Sequence, residues 1–275
     1  MPNASRLVST IVSCEWLFQN QHIEELVILD ARVLKADDFT SQTYIPNSRY
    51  FDIKGKFSDT DDEFPNAFPS QEQFEREARN LGINNNSLII VYDDDKGIYW
   101  SPRVWWLFRS FGFNNIAVLD GGLPEWKRHN YNTITSLAIS HWEEGDFKAN
   151  FQQDKMRFFH HILDIARDEN CGILDARSED RFKGIAPEPR IGLRSGTIPN
   201  SANLPYAKLL NGNCLKPEAE LKAIFKSFDI ANRPLTFSCG SGITACILAL
   251  AAEISGYQNI SVYDGSWTEF GTLTK

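Results

Sequence analysis

The chain lacks the residues that would build a metal cage or a covalent staple. Its 275 residues include only five cysteines (Cys14, Cys171, Cys214, Cys239 and Cys246), odd in number and nowhere spaced as Cys-x-x-Cys. This spacing speaks against a zinc ribbon and a disulfide framework, and fits a reducing compartment where one thiol is chemical and the rest structural. Long apolar runs are missing too: the stretches 88–92 and 246–252 are far too short to span a bilayer. No basic segment followed by an apolar one opens the sequence, so a cytoplasmic location is expected. There is no long run of like charge, and the net charge of −8 offers nucleic acid or an anionic membrane no attractive global field. An anionic substrate must then be held by a local basic pocket. What is present, 42 % hydrophobic and 23 % charged residues, suits a well-packed folded chain.

The sequence repeats itself. Val27-Ile28-Leu29-Asp30-Ala31-Arg32 returns as Gly172-Ile173-Leu174-Asp175-Ala176-Arg177, and Ile45-Pro46-Asn47-Ser48 returns unchanged as Ile198-Pro199-Asn200-Ser201. The apolar run Leu88-Ile89-Ile90-Val91-Tyr92 has its counterpart in Leu235-Thr236-Phe237-Ser238. The stretch from Gly112 through Asp120-Gly121-Gly122 is echoed from Gly256 through Asp264-Gly265-Ser266. Four matches in one order at nearly constant offset mark a tandem duplication.

Each half alternates short apolar strands (27–29, 88–92, 116–119) with amphipathic helices such as 71–81. That helix opens on Ser70 as N-cap, with Gln73 at the capping-box position, and closes at Gly82. The alternation predicts an α/β fold with a mostly parallel sheet flanked by helices in each half. The expected division is an N-terminal domain over 1–135, a linker over 136–158, where periodicity fades, and a C-terminal domain over 159–275. The Trp-rich stretch 100–106 reads as helix core.

Chemistry concentrates in one loop. The strand at 235–238 runs into Cys239-Gly240-Ser241-Gly242-Ile243-Thr244, and an Ala/Leu/Ile-rich helix follows at once. In open α/β sheets ligands collect beyond the carboxyl ends of strands. A cysteine there faces the unpaired amides and the positive end of the next helix, which favours thiolate over thiol. Two glycines let consecutive amides curl inward as an anion nest. The other four cysteines read as structural, with Cys246 a small hydrophobe on the helix.

The loop resembles that of the mercaptopyruvate sulfurtransferases within the wider rhodanese family. The resemblance extends to the Asp-Ala-Arg segments, both Ile-Pro turns, Ser101-Pro102-Arg103-Val104-Trp105-Trp106 and Asp264-Gly265-Ser266-Trp267. It implies two tandem rhodanese-like domains, of which only the second is catalytic. Asp93 stands where the second half has Cys239, and a carboxylate cannot carry sulfur. It also implies that Arg181 and Arg190 bind the carboxylate and carbonyl of a small substrate, for which a planar guanidinium fork is suited. Arg194 lacks such support and reads as a surface charge. The remaining site residues by this resemblance are Ser241 beside Cys239, with Gly240, Gly242, Ile243 and Thr244 holding the bound anion.

The sequence departs from the family at Asn66, where a His is usual in a relay with Asp59 and Ser241, and at Thr197, where a His is again usual. His22, His129, His141, His160 and His161 offer no obvious replacement. The expected reaction is transfer of sulfur from 3-mercaptopyruvate through a Cys239 persulfide to an acceptor thiol, thioredoxin or cyanide, with no metal or organic cofactor. Alternatives are a thiosulfate-specific rhodanese and a non-catalytic sensor or scaffold module. A cysteine-dependent phosphatase is disfavoured because Ala245 stands where its loop needs Arg.

Overall fold

The structure is a computed structural model that describes residues 7, 9–35, 42–137, 142–168, 170–228, 230 and 233–274. The chain divides into two compact units. The first comprises residues 1–59, 68–151 and 212–215, and the second residues 60–67, 152–211 and 216–275.

The first unit is built on a five-stranded sheet whose spatial order is Ile11–Val12, Ile116–Leu119, Leu88–Tyr92, Leu26–Asp30, Ser48–Tyr50. Every pairing is parallel. The three central strands are almost wholly buried, as expected of apolar runs covered by helices on both faces. Helix Ser101–Ser110 buries Trp105 and Trp106 completely, as the sequence predicts. Its Phe108 joins an aromatic cluster with Phe51, Phe57, Phe74, Phe111 and Phe147. Helix Gln71–Asn80 opens as expected, with Ser70 Oγ accepting from the Gln73 amide at 3.1 Å. The capping box is not closed, however: the Gln73 side chain donates instead to the carbonyls of Lys56 and Ser58.

The second unit repeats this plan strand for strand: Met156–Arg157, Ile260–Tyr263, Leu235–Ser238, Gly172–Asp175, Ser201–Asn203, again all parallel. The segment read as a linker over 136–158 thus ends in an edge strand. Met156 and Arg157 pair with Val262 and Tyr263 just as Ile11 and Val12 pair with Val118 and Leu119. Within that segment, residues 138–141 lie outside the described residues, and 152 onward belongs to the second unit.

The repeated motifs have repeated physical causes. In each Asp-Ala-Arg segment the Asp closes the strand and holds the Arg bidentately in the interior: Asp30 with Arg32 and Asp175 with Arg177. Each guanidinium lies over an aromatic ring, Tyr44 in the first unit and Trp267 in the second. Breaking such a buried pair by removing one partner costs about 3–5 kcal/mol. In each Ile-Pro-Asn-Ser turn the Asn sits at positive φ (64° and 58°), and the Ser hydroxyl donates back to the Ile carbonyl.

Candidate active site

Cys239 follows the last residue of the central strand Leu235–Ser238 and precedes helix Ala245–Ile254, so it lies at the carboxyl edge of the second sheet. It is only 2 % exposed. The loop is pinned from below by helix Ser266–Leu273: the amides of Trp267 and Thr268 donate to the carbonyls of Cys239 and Gly240, both at 3.0 Å. Ser266 Oγ accepts from the amides of Cys239 and Gly242 at 3.1 Å each and stands 3.9 Å from the Cys239 sulfur. The amide of Gly242 therefore turns inward to Ser266, a departure from the expected nest running unbroken over 240–244. The amides of Gly240, Ser241, Ile243 and Thr244 make no hydrogen bond to a described residue. Gly242 adopts φ of 77°, which lets the peptides on either side of it face in different directions. Cys246 is buried in the first turn of the helix, its sulfur 3.2 Å from the Gly242 carbonyl.

The two arginines singled out by sequence both reach this loop. Arg181, on the short helix Glu179–Phe182, has a guanidinium nitrogen 3.0 Å from the position a Cβ on Gly240 would occupy. The same nitrogen donates to Glu188 Oε2 at 2.6 Å. Glu188 is buried and shares its other oxygen with Arg177 at 2.8 Å. Arg190 donates to Thr268 Oγ1 at 2.6 Å, and Thr268 in turn donates to the Gly240 carbonyl. Burial pulls the Arg190 guanidinium below its ordinary value, against the opposing attraction of the Cys239 sulfur. Three guanidiniums (Arg177, Arg181, Arg190) face two carboxylates (Asp175, Glu188), which leaves one positive charge beside the sulfur. Arg194 is no solvated surface charge. It donates to the carbonyls of Gly271 and Thr274 at 3.1 Å and lies over the Trp267 ring, closing the C-terminal helix.

Asn66 belongs to the second unit, at φ of 61°, and its Nδ2 lies 3.3 Å from Ser241 Oγ and 3.5 Å from the Ser241 carbonyl. Only an N–H can face that carbonyl, so the amide orientation is fixed and the Ser241 oxygen is an acceptor from Asn66. The Ser241 hydrogen is thereby left to point away from Asn66. Of the five histidines, His22 and His129 lie in the first unit, His160 and His161 on the second unit's helix Phe159–Ile165, and His141 outside the described residues. Thr197 Oγ1 is spent on Ser201 Oγ at 2.9 Å.

The first unit shows what the same loop does without a cysteine. Asp93 follows strand Leu88–Tyr92, fully buried, and its carboxylate accepts from the amides of Tyr99, Trp100 and Ser101 at 3.0, 3.0 and 2.7 Å. Those amides open helix Ser101–Ser110, so the anion nest is permanently filled by the chain's own carboxylate. Burial pushes the Asp93 carboxyl up to about 6 against the pull of these hydrogen bonds.

The rhodanese-like domain matches this sequence twice, over residues 13–129 and 160–272. The chain belongs to the rhodanese family. Its relatives include the Arabidopsis thaliana thiosulfate/3-mercaptopyruvate sulfurtransferase 1, mitochondrial, 37 % identical over 95 % of this chain and 76 % of that protein. The thiosulfate sulfurtransferase of Rattus norvegicus is 34 % identical over 96 % of this chain and 92 % of its own length. Among solved structures, the crystal structure of the 3-mercaptopyruvate sulfotransferase SseA from Escherichia coli superposes with a TM-score of 0.83 at 31 % identity, covering 94 % of this chain and 99 % of that one. The fold is accordingly two rhodanese-like units, each a parallel sheet flanked by helices, as the sequence predicts.

Three residues of this rhodanese site, Glu188, Ser266 and Thr268, were not singled out by sequence reasoning. Ser266 and Thr268 come from the first turn of a helix, 27 and 28 residues beyond the loop atoms they hold. One signal was available: in the internal repeat Ser266 stands opposite Gly122, a difference beside an otherwise shared Asp-Gly.

Proposed function

We propose that this rhodanese is a 3-mercaptopyruvate sulfurtransferase working through a persulfide on Cys239. The observation that carries the reading is the pairing of a strand-end cysteine under four loop amides that bond to no described residue with two guanidiniums at its mouth. Arg181 and Arg190 bind the substrate carboxylate and carbonyl, one net positive charge meeting one negative. The Cys239 thiolate attacks the substrate sulfur, an S–S bond forms, and the C–S bond breaks with its electron pair moving onto the pyruvate fragment. The enolate so formed is stabilised by the arginines and by the Ser241 hydroxyl, whose hydrogen Asn66 leaves directed elsewhere than itself. It is then protonated at carbon, the proton replacing the one the substrate thiol gives up as its sulfur becomes the anionic outer sulfur, and leaves as pyruvate. The outer sulfur, an anion at the mouth of the helix, takes the amides of Gly240, Ser241, Ile243 and Thr244. Asp93 supports this assignment, since an anion already rests in the equivalent nest of the first unit. An acceptor thiolate, thioredoxin or cyanide then attacks the outer sulfur and regenerates Cys239. In this reading the first unit is non-catalytic and the second catalytic. The free cysteines fit a cytoplasmic location.

Relatives of both donor types match about equally well, so overall identity does not choose between mercaptopyruvate and thiosulfate. The loop does: Gly240 and Ser241 bring no charge for a dianion, whereas the arginine pair suits a carboxylate. Steady-state rates with each donor test the choice, and equal use of thiosulfate would remove it.

A further inference from the structure

The two repeats differ at one backbone position that chemistry explains. Trp267 donates its amide to the Cys239 carbonyl as Leu123 donates to that of Asp93, so Ser266 and Gly122 are structurally equivalent. Both have φ of 51°. Glycine accepts that angle freely, while a residue with a side chain holds it at a cost of the order of 1–3 kcal/mol. In the first unit a Cβ at 122 would lie 2.2 Å from the Asp93 carbonyl, so no side chain fits there. At this position the second unit makes room for a side chain and bears the strain, directly beneath the cysteine.

The Ser266 hydroxyl is fully buried and its hydrogen-bonding capacity is completely committed. Its oxygen accepts from two amides, Cys239 and Gly242, which occupies both lone pairs. Its single hydrogen has two acceptors in reach: the Tyr263 carbonyl at 2.9 Å and the Cys239 sulfur at 3.9 Å. A neutral thiol competes poorly with a carbonyl for that hydrogen, whereas a sulfur anion is a strong acceptor. An oxygen already accepting two N–H bonds is also polarised toward donation.

We propose that Ser266 tunes the inner sulfur of the site, its hydroxyl rotating from the Tyr263 carbonyl to Cys239 Sγ as negative charge develops there. The inner sulfur is then served by Ser266, and the outer sulfur of the persulfide by the amides of Gly240, Ser241, Ile243 and Thr244. By drawing the Cys239 and Gly242 amides to itself, Ser266 also sets the direction of those remaining amides. The inference rests on the sulfurtransferase reading for its purpose, but not for its test.

The test is the pH profile of Cys239 alkylation by iodoacetamide, read by mass spectrometry of the Cys239 peptide in folded protein recovered by gel filtration. Two variants are compared with wild type: Ser266→Ala, and Ser266→Gly, which places at 266 the residue the first unit uses at the same φ. Removing the hydroxyl should slow alkylation roughly 3- to 10-fold near neutral pH, less than the full loss of a hydrogen bond to an anion because the hydroxyl gives up the Tyr263 carbonyl to make it, and shift the profile to higher pH. In steady state kcat should fall by a similar factor with KM for the donor unchanged. A folded Ser266→Gly protein with the wild-type alkylation profile would overturn the proposal and leave Ser266 a turn residue. Alkylation needs no sulfur donor, so the outcomes separate: a protein that transferred no sulfur yet showed the shift would lose the proposed function and keep this inference.

Discussion

Asn66 donates its side-chain amide to the hydroxyl and carbonyl of Ser241, at the position where the family resemblance of the sequence leads one to expect a histidine. An amide orients but does not titrate near neutral pH, so Asn66 can hold Ser241 in place but cannot carry a proton for it. Asn66→Ala should lower kcat/KM by roughly 2- to 10-fold, the scale of one neutral hydrogen bond. Asn66→His should add a titration near about pH 6.5 to a rate profile that lacks one in wild type. A wild-type limb already present there would assign it to another group and remove Asn66 from the account.

The arginines make a second, separable prediction. Arg181→Ala and Arg190→Ala should each cost mercaptopyruvate roughly 1.5–3 kcal/mol in kcat/KM, and Lys at either position should recover only part, since it lacks the fork. Arg181 is held by Glu188 and Arg190 by Thr268. Thr268→Val should therefore reproduce a fraction of the Arg190 loss without touching Arg190 itself. Wild-type kinetics in both Ala variants would leave the arginines a structural role only, in their bonds to Glu188 and Thr268.

Asp93 predicts a pH dependence of stability. Its folded value of about 6 lies above the ordinary 3.8. Between those values the folded state binds more protons than the unfolded one, so stability falls as pH rises through that window and is level above it. Asp93→Asn cannot titrate. The variant should gain on wild type by about 2–3 kcal/mol between about pH 4 and about pH 7, measured by denaturant unfolding. Parallel stability curves for the two proteins would contradict the burial argument.

Donor preference follows from the loop. Mercaptopyruvate should exceed thiosulfate by at least about 100-fold in kcat/KM. Gly240→Arg with Ser241→Lys should shift the ratio toward thiosulfate. The obstacle to the first change is not backbone conformation, because Gly240 lies outside the positive-φ residues. The obstacle is the Arg181 guanidinium, 3.0 Å from where the new Cβ must go. Ser241→Lys alone is therefore the cleaner probe.

Much of this was legible in the sequence because it is local. The strands at 88–92, 116–119 and 235–238 are short runs of branched and aromatic residues, and the Cys239 loop lies between a strand and a helix that both declare themselves. The edge strand Met156–Arg157 did not, because two residues have no periodicity and only their partners Val262 and Tyr263 define them. Glu188 was hidden for a different reason. It sits between two prolines in a loop whose arginines drew attention, and its role depends on Arg177 and Arg181 converging on one carboxylate. Ser266 and Thr268 act on loop atoms more than twenty residues upstream, which no spacing rule anticipates.

The central claim is that Cys239 carries sulfur, and the most direct measurement is intact and peptide mass spectrometry after mixing the protein with 3-mercaptopyruvate without acceptor. The account predicts one added sulfur atom, localised to Cys239, lost on addition of cyanide or a thiol, and absent from a folded Cys239→Ser variant. Cys14, Cys171, Cys214 and Cys246 should remain unmodified. Turnover by folded Cys239→Ser protein, or the sulfur found on another cysteine, would contradict it.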